Sequence, residues 1–184
     1  MTKKHYFCTI FNNMHAKNSI SVKCVHFPCG DMILGSFDGR LCLCTWAEGK
    51  RNTHIDFRLQ KMLMAIYREE TTDVIDLARH QLNEYFDRKR SEFDLPLMFV
   101  GSSFQKNVWD ELLKIPYGTT VSYGELAQRI GNPRTVRAVA NANATNAISV
   151  IVPCHRVIGS DGTMKGYAGG VDRKRFLLDL EQGL

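Results

Sequence analysis

Pro153-Cys154-His155-Arg156 is the densest chemical signal in the chain. The apolar run Ile148-Ser149-Val150-Ile151-Val152 delivers the cysteine directly after a proline, and a histidine and an arginine follow at once. Proline holds Val152 extended and suits the first position of a short helical turn. A cysteine at such a start, beside His and Arg, has its thiolate favoured by dipole and charge. Adjacent residues do not face each other on a helix or strand. His155 is therefore not expected to take the Cys154 proton directly, and a bridging water is the natural relay. Glu181, near the C-terminal end, is a candidate to orient His155. The alternative for Cys154 is a buried, inert thiol.

The elements around this motif carry charge of one sign. From Leu126 to Ser160 there is no Asp or Glu, while Arg129, Arg134, Arg137 and Arg156 fall inside. Phe104 to Leu113 reads as a helix, with Phe104, Val108 and Leu112 on one stripe, and Ile115-Pro116-Tyr117-Gly118 ends it. Ser122-Tyr123-Gly124-Glu125 has capping-box spacing and opens a helix to about Ile130, which Gly131-Asn132-Pro133 breaks. A further helix is expected from near Arg134 to Ala144. Helix, short Gly-containing turn, helix fits either a helix-turn-helix or a plain αα corner. At about 100° per residue, Arg134, Arg137 and Asn141 share one side of the second helix, with Ala138 beside them, and Val136, Val139, Ala140 and Asn143 share another. Two arginines, an asparagine and a small alanine could lie close against a phosphate backbone, in a minor groove only about 6 Å wide. The bland alternative is a solvated basic face.

The chain divides near residues 91–101. Up to about residue 46 the pattern is strand-like: Val22 to Phe27, a turn at Pro28-Cys29-Gly30-Asp31, Met32 to Phe37, a hairpin turn at Asp38-Gly39, then Leu41 to Trp46. Phe57, Met62, Ile66 and Tyr67 suggest one helix. Val74, Leu77, Ala78, Leu82, Tyr85 and Phe86 suggest a second, capped by Thr71, Thr72 or Asp73. Asp94-Leu95-Pro96 reads as a linker. The expected organisation is an α+β domain over residues 1–95 and a second domain over 96–184.

Composition bounds the reading. The 184 residues are 44% hydrophobic and 23% charged, an ordinary globular balance. No run reaches the roughly 18–20 apolar residues of a membrane span, and no signal-peptide run follows Lys3 and Lys4, so a cytoplasmic protein without membrane partners is expected. The net charge of +5 permits nucleic-acid binding without arguing for it. Six cysteines fall at 8, 24, 29, 42, 44 and 154. Cys24 and Cys29 flank His26, and His5 lies near Cys8, so zinc could be considered. The spacing lacks a matching second pair, and Cys42-x-Cys44 places both sulfurs on one strand face, so buried thiols are the expected reading.

Pro153-Cys154-His155-Arg156-Val157 resembles the active-site signature of the O6-alkylguanine-DNA alkyltransferases. The same order and spacing hold for Phe104-Gln105-Lys106-Asn107-Val108-Trp109, Ile115-Pro116-Tyr117-Gly118, Ser122-Tyr123-Gly124-Glu125-Leu126-Ala127, Gly131-Asn132-Pro133, Arg137-Ala138-Val139, Asn146, Gly166-Tyr167-Ala168-Gly169-Gly170, and Leu177-Leu178 to Glu181. The resemblance covers roughly residues 101–181. It implies a ribonuclease-H-like N-terminal α/β domain and a winged helix-turn-helix-like C-terminal domain. It also implies irreversible, single-turnover transfer of the alkyl group from O6-alkylguanine, and O4-alkylthymine, in double-stranded DNA to Cys154, by a monomer that needs no cofactor or metal.

Under the resemblance His155 would act as water-mediated base, Glu181 would orient it, and Asn146 would brace the active-site turn. Tyr123 would donate its proton to guanine N3. The carbonyls of Cys154 and Val157 would accept the guanine amine, and Tyr167 with the Ala168 amide would wall the pocket. Arg137 would fill the hole left by the flipped nucleotide, with Arg134, Ala138, Asn141 and Arg156 also on the DNA. Ser149 stands where the family often has proline, and Ala168 where serine is usual; both positions line the alkyl pocket in relatives. Two other classes use part of the same pattern. A winged-helix regulator leaves Cys154, Tyr123 and Glu181 unexplained, and a cysteine hydrolase has no use for the acid-free window.

Overall fold

The structure, a computed structural model, describes residues 18–48, 52–164 and 166–184. The first half is a meander on one sheet. Strands β1 (Asn18–Phe27), β2 (Gly30–Phe37) and β3 (Arg40–Trp46) pair antiparallel through the two turns the sequence marks. Helix α1 (Asn52–Leu63) then crosses over to β4 (Ala65–Glu69), which runs parallel to β1, giving the sheet order β3-β2-β1-β4. Helix α2 (Asp73–Phe86) packs on β1, β2 and β3, with Thr72 accepting from the Ile75 N–H as its cap.

The expected helix through Ile66 and Tyr67 needs correction. The apolar spacing runs on past the true end of α1, but Met64 turns left-handed at φ 48° and the chain becomes a strand paired with β1. Ile55 and Leu59 form the buried stripe of α1, while Phe57 and Met62 are exposed. Leu77 is likewise exposed on α2.

The segment read as a linker is docked. Leu41 donates to the Pro96 carbonyl at 2.8 Å and Met98 donates to the Leu41 carbonyl at 2.9 Å, so residues 96–98 cover part of the β3 edge. Gln81 holds Asp94 through both its amide and its carbonyl.

In the second half α3 (Ser103–Leu113), α4 (Tyr123–Arg129) and α5 (Val136–Ala144) pack on one another. The Ser122–Glu125 capping box forms in both directions, and a short 3-10 turn at Pro133–Thr135 separates α4 from α5. Strands β5 (Val121–Ser122) and β6 (Val157–Ile158) pair parallel, and α6 (Val171–Gln182) closes the fold. One apolar core runs through both halves, from Ile20 and Leu34 in the sheet to Leu126, Val139 and Leu177. The Trp109 indole donates to the Ala142 carbonyl at 2.9 Å, under the Arg58 guanidinium from α1.

Candidate active site

The chain reaches Cys154 by way of the sheet edge. Cys44 in β3 donates to the Ala147 carbonyl and accepts from the Ser149 N–H, so residues 147–149 extend the β3 edge. Asn146 braces the next bend: its amide donates to Val152 and Ile148 carbonyls, and its oxygen accepts from the Ile148 N–H. Val150 sits at φ 71° inside a tight turn closed by the Ile151 N–H on the Ser149 carbonyl. A β-branched residue there is strained, and such strain persists only where surroundings over-determine it. Cys154–Arg156 is then a single 3-10 turn after Pro153.

Parallel pairing places this turn. Val121 pairs with Val157, so β5, which ends at the start of α4, lies beside the strand that leaves Cys154. Tyr123 is the first residue of α4, and its hydroxyl lies against Gly166, where an added Cβ would stand 3.1 Å from it.

Cys154, His155 and Glu181 are all buried. His155 Nε2 lies 2.8 Å from Glu181 Oε1. Burial works against ionisation of Glu181, yet the donors from His155 and Arg156 hold its carboxyl down to about 2. An ionised carboxylate only accepts, so Nε2 carries the imidazole proton and Nδ1 is the basic nitrogen. Nδ1 has no hydrogen-bond partner among the described residues. Burial lowers the proton affinity of His155, with Arg156 and Lys174 acting in the same direction and Glu181 opposing them.

The thiol departs from expectation. Burial pushes Cys154 up to about 11, against the Asn146 amide and the Lys174 ammonium, which favour the thiolate. One turn of 3-10 helix supplies little dipole, and Arg156 is committed elsewhere. At rest Cys154 is a protonated thiol.

Arg156 is the second correction. It is expected on DNA, but it is only 6% exposed, donates to Glu181 through Nε to both carboxylate oxygens at 2.9 and 3.2 Å and through Nη2 at 3.0 Å, and reaches the Ile115 carbonyl at 2.6 Å. Its guanidinium stacks over Tyr117, 5.7 Å from the ring centre. A guanidinium satisfied in this way is structural. The other basic-face residues stand as the helical spacing places them: Arg134, Arg137, Ala138 and Asn141 are exposed together, while Val139, Ala142 and Asn143 turn inward. Val136, placed on the same side as Val139 by the helical spacing, is exposed at the start of the helix.

Tyr167, Ala168 and Ser149 are the other residues expected to line the site. Tyr167 is buried edge-on to His155, ring centres 6.5 Å apart, and accepts from the Trp46 indole at 3.1 Å. Ala168 is half-buried beside it, and Ser149 is buried with no partner for its hydroxyl among the described residues. The Cys154 carbonyl already accepts from the Val157 N–H and the Asn143 amide, and the Val157 carbonyl accepts from the Lys174 ammonium. Burial lowers Lys174 to about 8. Trp46, Tyr85 and Lys174 were not singled out from sequence; each meets the site only through folding.

Cys42 and Cys44 are buried, as the strand alternation predicts, but Cys24 is exposed and Cys29 half-buried. Cys8 and His5 lie outside the described residues. Among the described residues no three His, Cys, Asp or Glu side chains cluster to hold a metal, and no helix is long and apolar enough to cross a membrane.

The chain has counterparts among known proteins. Residues 103–183 match the family described as 6-O-methylguanine DNA methyltransferase, DNA binding domain. A methylated-DNA–protein-cysteine methyltransferase of Methanosarcina barkeri is 49% identical over 131 residues, 70% of this chain and 83% of the relative. That of Mycobacterium bovis is 56% identical over 102 residues, 55% of this chain and 62% of the relative's own length. The structure of Mycobacterium tuberculosis OGT in complex with DNA superposes with a TM-score of 0.76 at 40% identity, covering 89% of this chain and 93% of that one. The chain belongs to the methylated-DNA–protein-cysteine methyltransferase family.

Proposed function

We propose that the protein repairs DNA by moving the alkyl group of O6-alkylguanine, and of O4-alkylthymine, irreversibly to Cys154. The carrying observation is a buried Cys154 followed directly by His155, whose Nε2 lies 2.8 Å from the buried Glu181 Oε1. The relatives' names, and a relative solved in complex with DNA, support the same reading.

The thiol is protonated at rest, so attack and proton removal go together. His155 Nδ1 takes the thiol proton through a bridging water while Sγ bonds to the alkyl carbon and the O6–carbon bond breaks. Tyr123 donates its hydroxyl proton to guanine N3, and the proton held on His155 returns to solvent and replaces it. Net, a thiol hydrogen is exchanged for an alkyl group. A thioether has no easy leaving route, so each molecule acts once. No cofactor or metal enters.

The O6 atom lies inside the duplex, so the nucleotide is flipped out at a cost of a few kcal/mol. Arg137 fills the vacated stack, and Arg134, Ala138 and Asn141 follow the backbone of the minor groove. Such contacts carry no sequence information and make binding salt-sensitive. The Val157 carbonyl, which accepts from Lys174, is the acceptor for the guanine amine. Tyr167 and Ala168 wall the pocket and donate to O6, while Ser149 shapes its floor.

The organisation we propose is a ribonuclease-H-like α/β domain over residues 1–95 and a winged helix-turn-helix-like domain over 96–184, acting as a monomer. Cys29, Cys42, Cys44 and Cys154 are free thiols, in keeping with a reducing cytoplasm. The test is incubation with duplex carrying radiolabelled O6-methylguanine. Label should pass to wild-type protein in stoichiometric amount and not to Cys154→Ser; label on the serine variant would refute the assignment.

A further inference from the structure

Glu181 holds more than the imidazole. Its Oε1 accepts from Tyr85 at 2.7 Å, from His155 at 2.8 Å, and from Arg156 through Nη2 at 3.0 Å and Nε at 3.2 Å. Its Oε2 accepts from Arg156 Nε at 2.9 Å and from the Gly118 N–H at 3.0 Å. His155 and Arg156 come from the turn that carries the nucleophile, and Gly118 from the loop before β5. Tyr85 comes from the other half of the chain, in the last turn of α2.

We propose that Tyr85 is a positioning residue for the alkyl transfer read above: its hydroxyl fixes the Glu181 oxygen that holds His155, and so sets how readily that imidazole takes a proton. The inference rests on the proposed function only for its activity readout.

The physical argument concerns shared charge. Oε1 divides its electron density among three donor residues, Arg156 reaching it through both Nε and Nη2. Each donor that draws on it weakens its pull on the His155 Nε2–H and reduces its stabilisation of an imidazolium. A neutral imidazole keeps a lone pair on Nδ1; an imidazolium has none and cannot act as a base. The groups facing His155 are Glu181 and Lys174 from α6, Arg156 and Cys154 from its own turn, and Tyr167 from the 166–170 loop. Burial and the two cations oppose protonation and Glu181 favours it, so tempering Glu181 adds to what keeps the base free.

Tyr85 is built for this. Its ring is buried and held edge-on by Phe86 at 5.4 Å and Tyr117 at 6.0 Å, with Phe93 tilted at 5.5 Å. Burial and the Glu181 carboxylate push its phenol far above the ordinary range, so it remains a donor throughout the working pH.

The test compares wild type with Tyr85→Phe, which keeps the ring and removes the hydroxyl. His155 is titrated by NMR in the unreacted protein, and the single-turnover rate on O6-methylguanine duplex is followed against pH. Loss of the donor should raise the His155 midpoint by about half to one unit, and the acid limb of the rate by the same amount. Near the foot of the wild-type limb the variant should be about three- to tenfold slower. A 3-fluorotyrosine at position 85, a stronger donor, should move both in the opposite direction. Unchanged midpoint and limb, even with a lower melting temperature, would reduce Tyr85 to packing and overturn the proposal. If wild-type protein transfers no methyl group, the functional reading fails while the titration still decides on Tyr85.

Discussion

The indole Nε1 of Trp46, at the end of β3, donates to the hydroxyl of Tyr167 at 3.1 Å across 121 residues of sequence. This bond fastens the loop at the mouth of the site to the sheet of the other half. Arg173 adds to it, stacked 5.0 Å from the Trp46 ring centre and donating to the Cys29, Glu48 and Gly169 carbonyls.

The closeness of that contact predicts the effect of a single methyl group. A Cβ at Gly169 would stand 2.3 Å from Trp46 Nε1 and 2.8 Å from Tyr167 Cε1. Gly169→Ala should displace the loop and cost about 1–3 kcal/mol, the usual range for overpacking. Thermal denaturation should show the loss, and Trp46 fluorescence should shift as the indole loses its partner. An unaltered melting curve would mean the loop yields freely.

Arg156 and Arg137 should separate cleanly. Arg156→Ala removes the cation from a buried carboxylate, and breaking such a pair costs about 3–5 kcal/mol. Arg137 is exposed, so Arg137→Ala should leave stability within about 0.5 kcal/mol. The second variant should weaken repair in duplex more than attack on free O6-methylguanine. Equal loss on duplex and free base would remove Arg137 from the flipping role.

Glu181 predicts a pH signature. Its carboxyl is held down to about 2 in the folded protein, against roughly 4.3 in an unfolded chain. The folded form therefore binds fewer protons between these values. The stabilisation is complete above about pH 4.3 and is lost as pH falls toward 2. The difference in unfolding free energy between wild type and Glu181→Gln should be largest near neutrality and narrow below about pH 4.5. A constant difference across that range would show that the carboxylate is not held in its charged form.

Local signals were legible in the sequence. The Ser122–Glu125 capping box, the Asp38-Gly39 hairpin and the exposed set Arg134, Arg137, Ala138 and Asn141 each depend on residues a few positions apart. What was hidden depends on partners far along the chain. Ile66 and Tyr67 continue a helical period by chance, and only β1 alongside them makes a strand. Arg156 carries the same charge as Arg137, and counting charges cannot reveal that one is buried on Glu181. The thiol of Cys154 looked activated because His155 and Arg156 are its neighbours in sequence; burial and the commitment of both side chains to Glu181 reverse that. Tyr85 and Trp46 look like ordinary core aromatics until α2 and β3 bring them to the site.

The central claim is that Cys154 is the alkyl acceptor, and mass analysis of the modified protein tests it most directly. After incubation with duplex containing O6-methylguanine, the peptide that holds Cys154 should be heavier by one methylene unit, with fragmentation placing the addition on the sulfur. An unmodified Cys154 peptide from folded protein, with methylguanine intact in the DNA, would contradict the account.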